Sequence, residues 1–319
     1  MFVRKWDGRL GIMRDNPKRR RPLVVCLMVV VLIALCSNCS WGKVIYVDDD
    51  APPGRDGSSW QKACKYLQDA LAVAGTVDKP VEIRVAQGIY KPDRTSAKTD
   101  GTRDRFASFC LIDQVSIRGG FAGVGAADPN ARDVAAYKSI LSGDLAGNDV
   151  ELTDPLAARD EPTRTDNSYH VVSYNANWDQ HGDLSAELDG FVVTAGCAFF
   201  YKEHGSVNIT TSDWNCGGGL FIRGVRTATT RLTVRGCQFT GNYSEATGGA
   251  IHAYLVNDLA IVESGLTSNG SHIHGGGVWT GSWTASVKGC GWAGLDRLGP
   301  RARRADRQSQ CDIHHRGRA

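Results

Sequence analysis

No stretch of the 319-residue sequence is both apolar and long enough to cross a bilayer. The one unbroken apolar run, Leu23 to Leu35, would make a helix of about 20 Å against a hydrocarbon core of ~30 Å. It follows Lys18-Arg-Arg-Arg21 and precedes Cys36-Ser-Asn-Cys-Ser40-Trp-Gly42. Residues 1–42 therefore read as an export signal, cut before Lys43, and membrane contact is expected only through that segment, as a cleaved signal or an uncleaved anchor. A large overall net charge is missing too. The formal net charge of +3 comes from the ends, with 8 Lys/Arg against 2 Asp/Glu in 1–42 and 7 against 2 in 297–319. Residues 43–296 keep 22 basic against 30 acidic, a net of −8, and an acidic body excludes nucleic acid as an expected partner. Nor is there an even set of cysteines. With Cys26, Cys36 and Cys39 in the signal, seven remain, so at least one thiol is left over. Helical periodicity is scarce as well, confined to Ala63, Leu67, Ala70, Leu71 and Ala74, behind Ser58 or Ser59 as a cap.

What is present is a repeat. Cys216-Gly-Gly-Gly-Leu-Phe221 returns as Thr247-Gly-Gly-Ala-Ile-His252 and His274-Gly-Gly-Gly-Val-Trp279. Between these, Phe239-Thr-Gly-Asn242 is answered by Leu266-Thr-Ser-Asn269 and by a decaying copy at Trp292. The alternating, β-branched stretches Leu232-Thr-Val234 and Leu259-Ala-Ile261, bounded by Gly, Asn and Ser, read as short strands. Glycines at Gly217, Gly248, Gly249 and Gly275 permit positive φ or close backbone approach where one strand bends into the next. Stacked in parallel at ~4.8 Å, such turns would bury Leu220, Ile251 and Val278 in one row and Phe239, Leu266 and Trp292 in another. Asn242 and Asn269 would then bond along the axis. The fold class expected is all-β, a solenoid of parallel strands.

These residues resemble right-handed parallel β-helix proteins with polymorphic outer-membrane-protein repeats, whose marks are Gly-Gly-Ala-Ile and Phe-x-x-Asn. Gly248-Gly249-Ala250-Ile251 and Phe239-Thr-Gly-Asn242 match both, and the other copies are looser. Ile45-Tyr-Val-Asp48, Asp56-Gly-Ser-Ser-Trp60, Ile117-Arg-Gly-Gly-Phe-Ala-Gly123 and Ile140-Leu-Ser-Gly-Asp144 are similar to the amino-terminal parts of large exported β-helix proteins of bacteria. The resemblance covers roughly residues 43 to 294. It implies a single-stranded right-handed β-helix, secreted or held at the cell surface or outer membrane, and no particular reaction.

The domain organisation expected is a signal at 1–42, a β-helix at 43–294 with a capping segment at 43–90, and a basic tail at 295–319 that is disordered or out of pattern. A helix over 58–75 would cover the open first coil. Polar inserts at 91–105, 124–136, 145–167 and 197–216 are expected as loops on one side. Cys197 and Cys216 flank the last of them and are the candidate disulfide. Cys237 and Cys290 occupy one repeat position two coils apart, about 9.6 Å at ~4.8 Å per strand, and read as small interior hydrophobes.

Chemistry is sparser. Carboxylates in the repeats, Glu245, Asp258 and Glu263, share no repeat position, whereas glycoside hydrolysis needs two at a fixed separation. Gly88-Ile-Tyr90 resembles a pectin esterase element, yet Lys91 follows where an acid is expected. No catalytic residue is assigned. Phe221, His252 and Trp279 each follow an interior aliphatic and so should point outward in one row, with Tyr254 and Trp283 nearby. Such rings could stack on a cell-surface or extracellular polysaccharide, or merely cover the solenoid. Asp144, Asn148 and Asp149 offer oxygen ligands at loop spacing for Ca²⁺, the one cofactor considered, though such loops are also plain turns. The reading is of an exported, non-catalytic surface protein, adhesive or structural; the alternative is a polysaccharide-active enzyme or a carbohydrate-binding module on the same fold.

Overall fold

Short runs of alternating apolar residues become 21 short strands, gathered into four sheets. The structure is a computed structural model and describes residues 42–176, 182–199, 213–281, 285–288 and 291–293. The signal, Trp283, Cys290 and the tail lie outside the described residues. A boundary between two units falls after Trp41, and everything described belongs to the second.

The first sheet holds, in spatial order, Lys43–Val47, Val81–Ala86, Val115–Phe121, Leu184–Asp189, Thr230–Arg235, Asp258–Val262 and Ala285–Lys288. The second holds Gly88–Tyr90, Ser139–Ser142, Phe191–Thr194, Gln238–Thr240, Gly265–Thr267 and Gly291–Ala293. Phe109–Cys110, Val172–Asn175, Leu220–Arg223, Ile251–Tyr254 and Val278–Gly281 form the third. A narrow fourth is made of Cys197–Ala198, Tyr243–Ser244 and Gly270–Ser271. All pairings between these strands are parallel. From Val81 onward the chain visits the first, second, fourth and third sheets in that order, then returns to the next strand of the first; the earliest circuits omit the fourth.

Register follows from burial. Ile45, Ile83, Ile117, Leu188, Val234 and Ile261 pair in one column, and all are buried. Val172, Leu220, Ile251 and Val278 make a second buried column. Tyr90, Leu141, Val193, Phe239 and Leu266 make a third, continued in register at Trp292. Because side chains alternate along a strand, a slip of one residue would expose any of these columns. Gly217, Gly248 and Gly275 share the same left-handed conformation, φ 65°, 65° and 64°, which a side chain would strain. The expected asparagine ladder is present. Asn242 Nδ2 donates to Val193 O at 2.9 Å and to Asn269 Oδ1 at 3.0 Å, while its own Oδ1 accepts from Gly196 N at 3.0 Å. Asn269 Nδ2 repeats the pattern on Phe239 O at 2.9 Å.

Several expectations change. The helix spans Leu67–Thr76 rather than 58–75, and Ser59 makes no side-chain cap to the short turn Trp60–Lys62. The reason is the open edge of the first strand. Tyr46 N donates to Gly57 O, Cys64 N to Tyr46 O and Asp48 N to Cys64 O, each at 2.9 Å, so the segment before the helix stays extended to pair with that edge. Leu67, Ala70, Leu71 and Ala74 are then buried in the main core. The run from Leu184 to Val193 breaks at Gly190, φ 81°, into strands of two different sheets. Three of the four inserts leave between the second and third sheets, whereas 124–136 leaves between the first and second. Cys197 and Cys216 form no disulfide. Burial pushes the Cys197 thiol up to about 11 and Cys237 to about 12, so both remain protonated and pack as small apolar groups.

Asn242→Ala would strand the Gly196 N–H and the Val193 carbonyl inside the protein. A loss of about 3 kcal/mol or more is expected in urea unfolding, whereas Thr233→Ala on the outer face should stay within about 0.5 kcal/mol. Equal effects of the two would remove the ladder as a determinant of stability.

Candidate functional site

A deep concavity is built by the insert that follows Ser139–Ser142. Three side chains lay this insert across later turns. Arg164 Nη1 donates to Gly241 O at 2.9 Å, Asn167 Nδ2 to Ala195 O at 2.8 Å, and Arg159 pairs with Glu245 at 3.4 Å. Leu152 and Ala158 add an apolar anchor against Cys197 and Tyr243. Beneath the insert runs an outward column of one hydroxyl per strand, Ser142, Thr194, Thr240 and Thr267, in parallel register. The space between column and insert is a cleft of about 360 Å³, with Asp144, Asp149 and Glu151 on one wall and Arg164 in its depth.

Arg164 is only 7% exposed, and its Nε has no hydrogen-bond partner. Asp149 Oδ2 accepts from Asn167 Nδ2 at 2.9 Å and lies 3.5 Å from Arg164 Nη1, while its Oδ1 is buried without a partner. Burial pushes the Asp149 carboxyl up to about 6, against the pull of Asn167 and Arg164. The cleft thus holds a carboxyl that changes charge near neutrality, beside a buried cation.

In the loop expected to offer Ca²⁺ ligands, the Asp144 oxygens accept from main-chain N–H groups. Asp144 Oδ1 accepts from Gly147 N at 2.5 Å and Asn148 N at 3.2 Å, and Oδ2 accepts from Asp149 N at 3.2 Å. Both oxygens therefore close a turn. The Asn148 amide nitrogen donates to Asp166 Oδ1 and Thr163 O, both at 3.2 Å, so it is held away from Asp144. Among the described residues, Asp48, Asp49 and Asp50 are the one acidic trio whose ligand atoms approach within 4.8 Å of each other. Asp48 is already engaged there by the N–H groups of Asp50 and Val124.

The aromatic row forms, but its inner members are covered. Phe221, His252 and Trp279 share register, with ring centroids 5.3 and 4.5 Å apart and planes within 12°. Phe221 is 0% and His252 7% exposed, because the row extends inward through two rings that the repeat spacing does not reveal. His170 stacks on Phe221 at 4.6 Å, and Trp214 on His170 at 5.5 Å. Cys216 and Ala246 close over Phe221 from the side. The outward pointing expected of Phe221 and His252 is therefore outward from the aliphatic column only, and neither can meet a sugar. Tyr254, 37% exposed and 6.3 Å from Trp279, stays accessible; Trp283 lies outside the described residues.

Sequence reasoning missed Arg159, Arg164, Asn167, His170 and Trp214. Two arginines five apart in a proline-flanked polar insert, Pro155 to Arg164, are a visible signal that the insert is anchored. Their partners, up to 86 residues away at Glu245 and 77 at Gly241, are not visible.

Burial holds the imidazole of His170 down at about 4 and that of His252 at about 3, the latter also through its neighbours His170 and Arg223. Both stay neutral in the fold while the unfolded chain protonates near pH 6.5, so their stabilisation is full above 6.5 and lost as pH falls toward 4 and 3. Asp149 acts oppositely: its folded value is raised, so its contribution is present below about 3.8 and lost as pH rises through about 6. Asp48 and Asp49, also raised by burial, act with Asp149, so the fall in unfolding free energy that the two histidines impose between pH 6.5 and 4 is opposed by three carboxyls. Urea titrations at fixed ionic strength should show the fall steepened in Asp149→Asn and flattened in His252→Phe; an unchanged slope in both would refute the assignment. No family model, no curated protein and no solved structure matches this chain, so the likeness of its repeats to a known family rests on the residues alone.

Proposed function

We propose that this chain is a right-handed single-stranded parallel β-helix of an exported cell-surface protein, and that it acts as a non-catalytic adhesive element by holding a polysaccharide in the cleft under the 145–167 insert. Parallel strands of one sheet joined by crossovers are nearly always right-handed, which supports the hand. The signal-like segment before Lys43 supports export. The observation that carries the binding role is that the hydroxyls Ser142, Thr194 and Thr240, in register on successive strands, line one cleft with Asp149 and Glu151. Hydroxyls and carboxylates at strand spacing are donors and acceptors suited to sugar hydroxyls, and the partly apolar rim at Val150 and Leu152 suits a ring face.

Binding is favoured over hydrolysis by the state of the carboxylates. A glycosidase needs one acid and one base or nucleophile flanking the scissile bond. Here Asp144 is spent on backbone N–H groups and Asp149 Oδ2 on Arg164 and Asn167, with Asp149 Oδ1 buried, which leaves Glu151 as the one carboxylate of the lining not so held. The accessible pair Tyr254 and Trp279 is a second, smaller surface that sugars could touch.

The full chain, screened against a polysaccharide panel by calorimetry and by release of reducing ends or unsaturated products, decides between these roles. Binding without product is expected, weakened about tenfold in Thr240→Val and Asp149→Asn, as befits the loss of one or two hydrogen bonds. Turnover abolished in Asp149→Asn would make the protein an enzyme instead. Binding lost only in Trp279→Ala would move the site to the ring row.

A further inference from the structure

A second concavity lies where the outward column begins. In register terms Lys91 directly follows Tyr90, the partner of Leu141, and so precedes Ser142 in the column. The hollow holds about 120 Å³, room for about four waters. That is too small for a sugar ring and adequate for a single carboxylate, sulfate or phosphate group. Its walls carry three cations, Lys65, Lys91 and Arg94, and one carboxylate, Asp49.

The cations are unspent. Among the described residues none of the three lies in a salt bridge. Lys65 Nζ donates to the Asp49 main-chain carbonyl, and Lys91 Nζ reaches the Leu145 carbonyl at a long 3.4 Å. Arg94 Nε is buried and has no hydrogen-bond partner, an orphaned donor on a charged group. The nearby acids are held in part by main-chain N–H groups, with Asp93 Oδ1 left buried and without a hydrogen-bond partner. Asp49 Oδ2 accepts from Ile89 N at 3.0 Å, Asp93 Oδ2 accepts from Arg103 N at 3.0 Å, and Asp144 closes the turn described above. Burial holds the Lys91 ammonium below its usual range, against the pull of Asp144 and Asp93 and with the push of Arg94. Tyr66 and Leu67, at the amino terminus of the helix Leu67–Thr76, complete the wall, and no side chain caps that end, so the helix dipole adds to the positive field.

We infer that the hollow bounded by Lys65, Lys91 and Arg94 is a binding site for one oxyanion group, with the Arg94 guanidinium and the two ammonium groups as its donors. The site stands apart from the cleft under the insert and does not rest on the glycan reading. The group it accepts is either a free inorganic anion or the acidic substituent of a polymer that continues along the column, since both present the same oxygens.

The test uses the full chain. Calorimetric titration with sodium sulfate, with inorganic phosphate and with a uronate oligosaccharide, each at ionic strength matched by sodium chloride, should give saturable binding at one site. The double variant Lys91→Gln, Arg94→Gln should lose at least tenfold in affinity, Asp49→Asn should gain several-fold, and Thr233→Ala on the first sheet should change nothing. Tighter binding of the oligosaccharide than of sulfate, with the same dependence on Lys91, identifies a polymer-borne group; sulfate equal to or tighter than the oligosaccharide identifies a free anion. Absence of saturable binding by any of the three probes overturns the site, as does equal affinity in a double variant whose circular dichroism matches the parent. Should that variant not fold, the parent titration and Asp49→Asn still decide: the site fails without saturation or if Asp49→Asn weakens it.

Discussion

Two parallel strands cannot be joined by a tight turn, because the chain must travel back before it can run beside itself. In this protein the return path is itself made of strands, so each circuit of the first, second and third sheets delivers the chain one strand spacing further along. A column of like residues is then a requirement. A strand two to seven residues long has few side chains with which to hold its register, and burial of one aliphatic per circuit supplies most of it. The amide of Asn242 does for the turn what the aliphatics do for the strands. It satisfies a carbonyl and an N–H one circuit away, in a buried position. Removing either kind of column member leaves its neighbours with nothing of similar shape to replace it.

This explains why the sequence disclosed the interior and little else. Leu220, Ile251 and Val278 recur because each stacks on a copy of itself, so the constraint is written at a fixed period. The same holds for Phe239, Leu266 and the two asparagines. The helix at Leu67–Thr76 was legible as an amphipathic stripe, but its start was not. Whether residues 58–66 join the helix or pair with the strand edge depends on Tyr46 and Asp48 presenting unpaired backbone groups, which no local pattern records. Ring direction was legible at Phe221 and His252, while ring burial was not, since His170 and Trp214 come from segments outside the repeat.

The cleft was the least legible feature, for a related reason. Its floor is periodic, one hydroxyl per circuit, and Thr240 and Thr267 can be found by spacing alone. Its wall is a single insert whose position depends on Arg159 and Arg164 reaching across several circuits. An arginine buried to that depth needs partners in good geometry, and a carbonyl plus a carboxylate provide them. Asp149 is drawn into the same low-dielectric pocket, and its raised pKa follows from being there.

Where inserts leave the circuits also decides where ligands can be met. Three of them depart between the second and third sheets, so the ends of the second-sheet strands become a valley with walls, while the first sheet keeps a plainer face. The valley is electrically uneven along its length. Lys91, with Lys65 and Arg94 beside it, stands at the beginning, and Asp144, Asp149 and Glu151 stand one and two strands further on. Asp144 pulls on Lys91, while Asp149 is held by Asn167 within the insert. A ligand that spans both would need an acidic group at one end and neutral hydroxyls along the rest. An uncharged or uniformly acidic chain would forfeit one half of the valley or be repelled by the other.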